Sequence, residues 1–508
     1  MLGLLQRTKA NLQNTSTPIS WSPSDPVPSG FSSTQQSFSL PISSLSAFTF
    51  RAAGHYARGT LVIERAGGQA PPEYVREAEA GERDRKERET GIVEITSEVR
   101  ANSEGLLKDC KLEASEAHER CGLTLNTPAS TSVSRIGASL SYHITVTMPD
   151  SLSALDSLVV EASGFRLNLA ASLSSTLLSN LNLTTTDAPI SLGPGIRAQA
   201  VSIRNRNEID SNKVQLSNFD PLVSGSILSA ERIELDCADG PIEGSYSATG
   251  AVIAHTTNSH MRADFTGSSI RVSTGNGELV GKFKAKKDVI LSNNYGKIDV
   301  EVEAPKGCQI TGQNSQISGK FKVGKQLRLS TTHFRIDASV HLLPPPSSSL
   351  PVHRPSSPAP STRTTSTSLS DGALPTFEEA TGASPSSSTG EVVQVTAETS
   401  GAAIQLDYVE QPEGVVVHSF ARSNGGGRVE VVHPKTFEGT FSASTSLTHT
   451  AHLTLPSSFA SATQKRLVRY TTEKRSEVAG TVEWEGSGGT GRSRSVIEAE
   501  GAAEIKIL

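Results

Sequence analysis

The sequence of 508 residues is poor in aromatic residues, in cysteine and in long apolar runs. Aromatic residues make up 5% of it, and it contains four cysteines, three methionines and two tryptophans. No run approaches the roughly 18–20 apolar residues of a membrane-spanning helix, and the apolar stretch after Met1 is too short for a secretory signal. The formal charge of −5 excludes a strongly basic nucleic-acid-binding chain. The length fits two or three ordinary domains or one long repeat array.

What the sequence does contain is a regular repeat between residues 214 and 340, in which apolar residues recur every 18 or 19 positions. We number each unit from position 0, which is occupied in turn by Leu235, Ala254, Val272, Leu291, Ile310 and Leu329. Position +7 is occupied by Ile242, Met261, Leu279, Ile298, Ile317 and Ile336, and position +11 by Tyr246, Phe265, Phe283, Val302, Phe321 and Val340. A period this regular is typical of a stacked array.

Within each unit, apolar and polar residues alternate with a period of two, which predicts strands. Positions +8 and +10 are mostly polar, whereas position +9 is small, with Val300 as the exception: Gly225, Gly244, Ala263, Gly281, Gly319 and Ala338. Positions −2 and 0 form a second, shorter strand, and no part of the unit has room for a helix. Equivalent strands of successive units are expected to stack in parallel and in register, roughly 4.7–4.9 Å apart. This arrangement is a β-solenoid.

Further units extend the repeat towards the N-terminus with a less regular period. One unit is predicted on Leu216, with Val214, Val223 and Ile227 in the equivalent positions. Irregular units begin near Leu158, and their position 0 is assigned to Val160, Leu183 and Ile203.

Charged side chains on the outer face interlock from one unit to the next. Successive units carry Lys282, Glu301 and Lys320 at position +10, and Lys284, Glu303 and Lys322 at position +12. Adjacent units therefore place opposite charges about one strand spacing apart. Each exposed pair contributes only about 0–1 kcal/mol, so the pattern specifies register more than stability. It also neutralises the lysine-rich segment 282–287, which argues against a nucleic-acid partner.

Asparagine, aspartate and glycine mark a tight corner between the two strands of each unit. Position +4 holds Asp239, Asn258, Asn276 and Asn314, residue types that tolerate the left-handed backbone of a tight turn. A ladder of side-chain oxygens that binds calcium or sugar is the alternative interpretation. Turn formation is favoured, because the Gly-Gly-x-Gly-x-Asp repeat of calcium-binding arrays is missing.

Composition divides the first part of the chain into three segments. Residues 1–34 are rich in Ser, Thr and Pro and are predicted to be disordered. Residues 35–150 contain strand-like runs without the period, and we expect a mainly antiparallel β cap with a charged loop at 71–90. An array needs such an atypical end to prevent edge-to-edge pairing. Residues 151–341 form the predicted β-solenoid.

The second part of the chain is divided by a segment of low complexity. Residues 342–390 are dominated by Ser, Thr, Pro and Ala and are predicted to be a disordered linker, with heavy O-glycosylation as an alternative. Residues 391–508 are predicted to be a C-terminal β region that continues the solenoid. In that region, Phe437 to Phe441 resembles the strand from +7 to +11.

No constellation in the sequence predicts catalytic residues, a cofactor or a metal site. At position +8 the closest acids are Asp299 and Asp337, two units or roughly 9.5 Å apart between backbones. That separation suits the acid–base pair of an inverting glycosidase, but no other residue supports it. His255, His260 and His333 occupy different positions, which argues against a metal ladder.

The four cysteines predict neither a disulfide framework nor a metal site. Cys110 and Cys121 are close enough in sequence to bridge, but two thiols do not make a metal site. Cys237 and Cys308 cannot pair, because they occupy different positions of units that lie roughly 19 Å apart along the stack. Cys308 is most simply a buried small apolar residue.

The repeated theme of Val272-Ser-Thr-Gly-Asn-Gly-Glu-Leu-Val-Gly-Lys-Phe283 resembles adhesin-type β-solenoid domains of unknown function from bacteria and fungi. The resemblance covers about residues 158–340. The N-terminal layout, with Ser37-Phe-Ser-Leu-Pro41 and Cys110, resembles uncharacterised fungal members. It implies no established activity and no catalytic residues. Many fungal members look membrane-anchored near the N-terminus, so the resemblance implies an anchored or cell-surface protein if a segment precedes this sequence.

These observations predict a non-enzymatic β-solenoid that acts as an adhesin-like, structural or cell-surface interaction module. Glycans or cell-surface proteins are the expected partners, with no nucleic acid and no membrane span in this chain. A carbohydrate-active solenoid resembling a polysaccharide lyase or hydrolase is the first alternative. An intracellular scaffold is the second.

Overall fold

The computed structural model describes residues 26–41, 45–53, 57–66, 91–108, 110–117, 120–127, 140–186, 188–206, 223–344, 392–412, 415–446, 448–455, 466–484 and 493–508. Of the predicted disordered segments 1–34 and 342–390, only residues 26–34 and 342–344 are described. The predicted charged loop 71–90 lies outside the described residues. The described residues contain 31 strands, one five-residue helix, α1 (Glu104–Lys108), and a 3-10 helix (Ala171–Ser175). The all-β prediction is confirmed.

The strands fall into three groups along the chain. The N-terminal strands are β1 (Ser32–Pro41), β2 (Ala47–Ala53), β3 (Gly59–Arg65), β4 (Ile92–Ala101), β5 (Lys111–Ala117), β6 (Arg120–Asn126) and β7 (Leu140–Met148). The central strands are β8 (Ala154–Ala162), β9 (Phe165–Leu169), β10 (Leu177–Thr186), β11 (Ile190–Leu192), β12 (Ile196–Arg206), β13 (Val223–Cys237), β14 (Ile242–Thr256), β15 (Met261–Gly267), β16 (Ser269–Thr274), β17 (Leu279–Ala285), β18 (Asp288–Ala304), β19 (Gly307–Val323), β20 (Gln326–Thr331) and β21 (Ile336–Leu342). The C-terminal strands are β22 (Val392–Thr399), β23 (Ile404–Glu410), β24 (Val416–Ser423), β25 (Val429–His433), β26 (Gly439–Thr445), β27 (Ala451–Thr454), β28 (Arg466–Lys474), β29 (Glu477–Trp484), β30 (Ser493–Ala499) and β31 (Ala503–Ile507).

Successive units of the central repeat pair in parallel, with residues of equivalent position side by side. At position 0, each residue from Leu235 to Leu329 pairs with the residue of the next unit. At position +7, the same holds from Ile242 to Ile336. The strand register predicted from the period is therefore confirmed. We call one turn of the chain with its two strands a rung, and a set of equivalent paired residues a column.

The upstream units are partly as predicted. Val160 pairs with Leu183, and Leu183 with Ile203, so their assignment to position 0 is confirmed. Ile203 then pairs directly with Leu235, so no other residue stands between them in the column of position 0, and the prediction of a separate unit is wrong. Val214 and Leu216 lie outside the described residues. Val223 and Ile227 pair with Ile242 and Tyr246, so their predicted positions +7 and +11 are confirmed, but they complete the rung of Ile203.

The N-terminal region mixes parallel and antiparallel strands, which corrects the prediction of a mainly antiparallel cap. β2 pairs in parallel with β6 and β8, and β3 pairs in parallel with β7 and β9. The pairs β1–β4, β4–β7 and β5–β6 are antiparallel. β2 and β3 thus form a rung inside the stack. The period does not reveal it, because the chain leaves the stack after β3 and returns at β6, so the sequence offset is not constant.

Strands after residue 391 pair onto the central stack. Leu329 pairs with Ala397 and Ile336 with Ile404, and β24 and β25 follow in the same register. The last strands, β30 and β31, lie between β24–β25 and β26–β27, and β28–β29 form an antiparallel hairpin on β26. Phe441 pairs with Ser495 and so joins the column of position −2. Its predicted place at position +11 is wrong, because an inserted rung changes the offset.

The core consists of columns of apolar side chains that touch their counterparts in the rungs above and below. At position +11, the ring centroids of Tyr246 and Phe265 lie 5.4 Å apart, and those of Phe265 and Phe283 lie 5.6 Å apart. All three side chains are buried, as is Cys308. Burial of one such side chain stabilises the fold by about 1.5–3 kcal/mol.

Candidate functional site

The outward face of the strands from +7 to +11 carries an open groove of about 590 Å³. Its charged lining residues come from six consecutive rungs: Asp264, Lys282, Asp299, Glu301, Lys320, Asp337 and Asp407. The groove follows from the small residues at position +9, two of which, Gly281 and Gly319, also line it. We call this feature the charged groove.

Position +9 favours glycine for two reasons: its backbone conformation and the lack of space for a side chain. Gly281 and Gly319 have φ angles of 151° and 157°, which side chains rarely adopt. A Cβ atom on Gly281 would lie 2.0 Å from the carbonyl oxygen of Ala263. The Lys282 N–H instead donates to the side-chain oxygen Oδ1 of Asp264, at 2.9 Å. The glycines thus let the strand bend and leave the floor of the charged groove open.

Asp299 and Asp337, the acids considered in the sequence, do line the same groove. Ser318 lies between them in the column, so they are two rungs apart, roughly 9.5 Å between backbones. Each carboxylate forms an ion pair within its own rung: Lys297 Nζ lies 2.6 Å from Asp299, and an Arg335 guanidinium nitrogen lies 3.2 Å from Asp337.

Asp407 is the groove residue that the sequence did not indicate. It is half-buried, and burial, together with the charges of Asp337 and Glu430, raises its pKa, although a hydrogen bond from Gln405 and the charge of Lys506 oppose the rise. Ser339 pairs with Asp407 across adjacent rungs. Because the chain between residues 344 and 392 separates the two strands in sequence, no local period could place Asp407 beside Asp337.

The predicted charge ladder has the expected register. Lys282, Glu301 and Lys320 are paired in succession along the stack. Lys284 Nζ lies 3.3 Å from a Glu303 carboxylate oxygen, with both side chains largely exposed. The ladder therefore contributes little stability and mainly opposes slippage of the rungs.

The corner at position +4 forms a hydrogen-bonded ladder along the stack. Asn276 Nδ2 donates to Asn258 Oδ1, and Asn258 Nδ2 donates to Asp239 Oδ1, each at 2.6 Å. The next rung places Tyr295 at this position, with its side chain 54% exposed. The side chains at this position therefore hydrogen-bond to one another. This agrees with the interpretation of the corner as a turn, as opposed to a ladder that binds calcium or sugar.

The described part of the chain shows no arrangement suited to a metal ion. No group of three or more His, Cys, Asp or Glu side chains among these residues could hold one. His260 contacts Glu243 at 3.1 Å, and His255 contacts Ser273 at 2.7 Å, in separate columns. All four cysteines are free thiols. None of the helices in the described residues is long and apolar enough to cross a membrane.

Comparison with known proteins adds little to this geometry. No protein-family model matches the chain, and no curated protein matches its sequence. A crystal structure of a candidate cell adhesion protein from Clostridium sporogenes ATCC 15579 is similar over 94% of this chain and 100% of that one. The identity is 8% and the TM-score is 0.14, too low to carry an argument. The resemblance to adhesin-type domains thus rests on the repeat alone, and that to fungal members rests on the N-terminal sequence alone.

Proposed function

We propose that the chain is a non-enzymatic β-solenoid that serves as an adhesin-like, structural or cell-surface interaction module. One observation carries the proposal: residues of position 0 pair from rung to rung without a break through fifteen rungs. In spatial order they are Leu123, Phe50, Val160, Leu183, Ile203, Leu235, Ala254, Val272, Leu291, Ile310, Leu329, Ala397, Ala421, Ile497 and Ala443. At one strand spacing per rung, the stack is about 65–70 Å long.

Such a stack suits binding to an extended partner. Each rung presents the same outward positions, so a contact made on one rung can recur on the next at a fixed spacing. The core of each rung is supported by its neighbours, which keeps the face flat and pre-organised, and pre-organisation lowers the entropic cost of binding.

The charged groove supports binding better than catalysis. Its two acids at position +8 have cations beside them, and the lysines and acids at position +10 alternate along the stack. A hydrolase or lyase needs an acid and a base held in different protonation states at the reacting bond. Asp299 and Asp337 are instead each ion-paired with a cation of their own rung.

The test combines a binding measurement with an activity measurement on the full chain. We expect the labelled protein to bind a subset of glycans on an array, or intact cells, without releasing reducing sugar from any polysaccharide. Absence of binding to every glycan and every cell surface would contradict the proposed function. Sugar release that disappears in Asp299→Asn would instead establish an enzyme.

A carbohydrate-active solenoid is the alternative, and Asp407 is the observation that favours it. A half-buried carboxyl with a raised pKa next to a second acid, Asp337, is a feature of acid–base sites. This alternative predicts sugar release that is lost in both Asp407→Asn and Asp337→Asn. It also predicts that Asp264→Asn, a change at the opposite end of the same groove, leaves the release intact.

A further inference from the structure

A second corner of the stack carries lysines on three consecutive rungs. Asp288, Gly307 and Gln326 are paired across adjacent rungs, so the residues that precede them, Lys287, Lys306 and Lys325, follow one another along the corner. The Lys306 N–H donates to the Lys287 carbonyl oxygen at 3.1 Å, which places these two residues directly above one another. Lys286 adjoins the row, and all four side chains are exposed. We call these four residues the lysine ridge.

The lysine ridge breaks the charge pattern of the rest of the stack. On the faces, positive and negative side chains alternate from rung to rung. Among the described residues, Lys286, Lys287 and Lys306 form no ion pair within 4 Å, and Asp288 is the exposed acid beside them. The predicted neutralisation of segment 282–287 by the next unit is therefore wrong for Lys286 and Lys287. These three lysines concentrate positive charge, although like charges on neighbouring strands destabilise a sheet.

The corner itself does not require lysine. Equivalent corner positions in the two preceding rungs hold Gly250 and Ser268. The Lys287 N–H donates to the Ser268 carbonyl oxygen at 2.8 Å, and the Ser268 N–H donates to the Gly250 carbonyl oxygen at 2.6 Å, so the backbone path is the same. The backbone of the corner therefore does not account for the lysines, and a partner that binds them from solution does.

We infer that the lysine ridge binds a linear acidic polysaccharide, with carboxylate or sulfate groups spaced along its chain. This inference rests on the proposed function and names the class of its ligand. The backbone positions of successive lysines are one strand spacing or roughly 4.7–4.9 Å apart, which lets their side chains follow the repeat of charge along an extended glycan that bears one anionic group per sugar. Each lysine is a compact charge on a flexible stem, which suits anions without a fixed orientation.

A polysaccharide fits this corner better than a nucleic acid does. Sequence-tolerant binding of single-stranded nucleic acid combines positive charge with aromatic side chains on which bases stack. Within the described residues, the exposed aromatic side chains are Tyr295, Phe334 and Tyr470. Tyr295 and Phe334 lie at the corner between the two strands of a rung, and Tyr470 lies in β28, so none adjoins the lysine ridge.

The test uses the full chain and four probes: heparin as a sulfated polysaccharide, polygalacturonate as a carboxylated one, dextran as a neutral one, and single-stranded DNA. Binding is measured by biolayer interferometry for the native protein, for the double variant Lys287→Gln/Lys306→Gln, and for Lys284→Gln/Lys322→Gln. The last variant also removes two lysine charges, at position +12, outside both the lysine ridge and the charged groove. Circular dichroism verifies that both variants keep the native strand content.

We expect the acidic polysaccharides to bind and dextran not to bind. The ridge variant should lose at least tenfold in affinity for an acidic polysaccharide, while the position +12 variant should change by less than threefold. Equal losses in both variants, or tighter binding of single-stranded DNA than of either acidic polysaccharide, would overturn the inference. If cells or neutral glycans bind equally to native protein and ridge variant, the proposed function stands and the ligand class is wrong. If nothing binds at all, both fail.

Discussion

At the level of single residues, glycine at position +9 holds the strand in a conformation that other residues rarely adopt. A Cβ atom on Gly319 would lie 2.0 Å from the Val300 carbonyl oxygen, and the φ of 157° adds backbone strain. The obstacle is backbone of the neighbouring rung, which cannot move aside as a flexible side chain would. Gly244, Gly281 and Gly319 have φ of 126°, 151° and 157° and alternate along the stack with Ala263, Val300 and Ala338.

We expect Gly319→Ala to lower the free energy of unfolding by more than about 1 kcal/mol. Gly105→Ala in α1 is the matched control, because the nearest atom to its added Cβ is a Ser103 hydroxyl at 3.8 Å. That control should be neutral or slightly stabilising, since alanine favours the helix. Urea unfolding followed by circular dichroism measures both changes, and equal midpoints for the two variants would contradict the explanation.

A buried histidine makes stability depend on pH. His433 lies in the +11 column between Tyr408 and Phe437, with ring centroids 5.0 and 4.1 Å away, and its Nε2 has no hydrogen-bond partner among the described residues. Burial lowers the pKa of His433 from 6.5 to about 3. The unfolded chain therefore binds a proton that the folded chain excludes, so this stabilisation is complete above pH 6.5 and is lost as pH falls towards 3.

His433→Phe should flatten the fall in stability between pH 6.5 and pH 4. A single group of this kind contributes a slope of up to about 1.4 kcal/mol per pH unit, and phenylalanine retains the stack without a titratable group. His452→Phe is the control, because His452 is exposed. The measurement is the urea midpoint at several pH values, and an unchanged slope in His433→Phe would refute the assignment.

At the level of elements, both ends of the stack are closed by strands that return out of order. The rung of β6–β7 lies outside the earlier rung of β2–β3, and the rung of β30–β31 lies inside that of β26–β27. The remaining outer strands, β1, β4 and β5 at one end and β28–β29 at the other, add antiparallel pairs. These devices cover edges that would otherwise invite pairing with other chains.

Ion pairs hold the last strand in place. Lys506 Nζ lies 2.6 Å from a Glu430 carboxylate oxygen on β25, and Arg428 bridges Glu430 and Glu504. Although burial opposes it, hydrogen bonds from Thr454 and Arg428 and the charges of Lys506 and Arg428 lower the pKa of Glu504. β31 is thus tied to its neighbour by side chains as well as by the backbone ladder.

Removal of residues 493–508 should damage strands on both sides of the gap. A rung lost from the end of an array exposes one edge, whereas this deletion exposes both β24–β25 and β26–β27. Hydrogen exchange read by mass spectrometry should show faster exchange across residues 416–454. Deletion of residues 1–25, which lie outside the described part of the chain, is the control. Unchanged exchange in 416–454 would contradict the observed topology.

At the level of the whole molecule, each rung in the centre contacts only the rungs beside it. The energetic coupling between two substitutions should therefore be large only when they lie in the same rung or in adjacent rungs. Ile298 and Ile317 pair directly, whereas Leu183 lies several rungs away. We expect Ile→Ala or Leu→Ala at each site to cost about 2–5 kcal/mol.

The combination of Leu183→Ala with Ile317→Ala should be additive within about 0.3–0.5 kcal/mol. The combination of Ile298→Ala with Ile317→Ala should deviate by at least about 0.5 kcal/mol, because the two residues share one cavity. Denaturant unfolding of the single and double variants measures both couplings. Equal deviations from additivity for the near and the distant pair would contradict coupling between adjacent rungs only.

The sequence by itself determined the all-β class and the central register, down to which lysine pairs with which glutamate. It could do so because paired residues of neighbouring rungs are separated by a nearly constant number of residues. The repeat period alone therefore predicts which residues pair from Leu235 to Leu329. Asp299 and Asp337 were placed correctly in the same column for the same reason.

Only the tertiary structure decided the order of rungs at both ends, the direct pairing of Ile203 with Leu235, and the join between Leu329 and Ala397. In each case an insertion or a returning strand breaks the constant offset, and pairing then depends on contacts between residues far apart in sequence. Asp407 lies in the charged groove across such a break. The lysine ridge does follow the constant offset, at position −4 of three successive units. The tertiary structure added that this position is an exposed corner, outside the alternating strands.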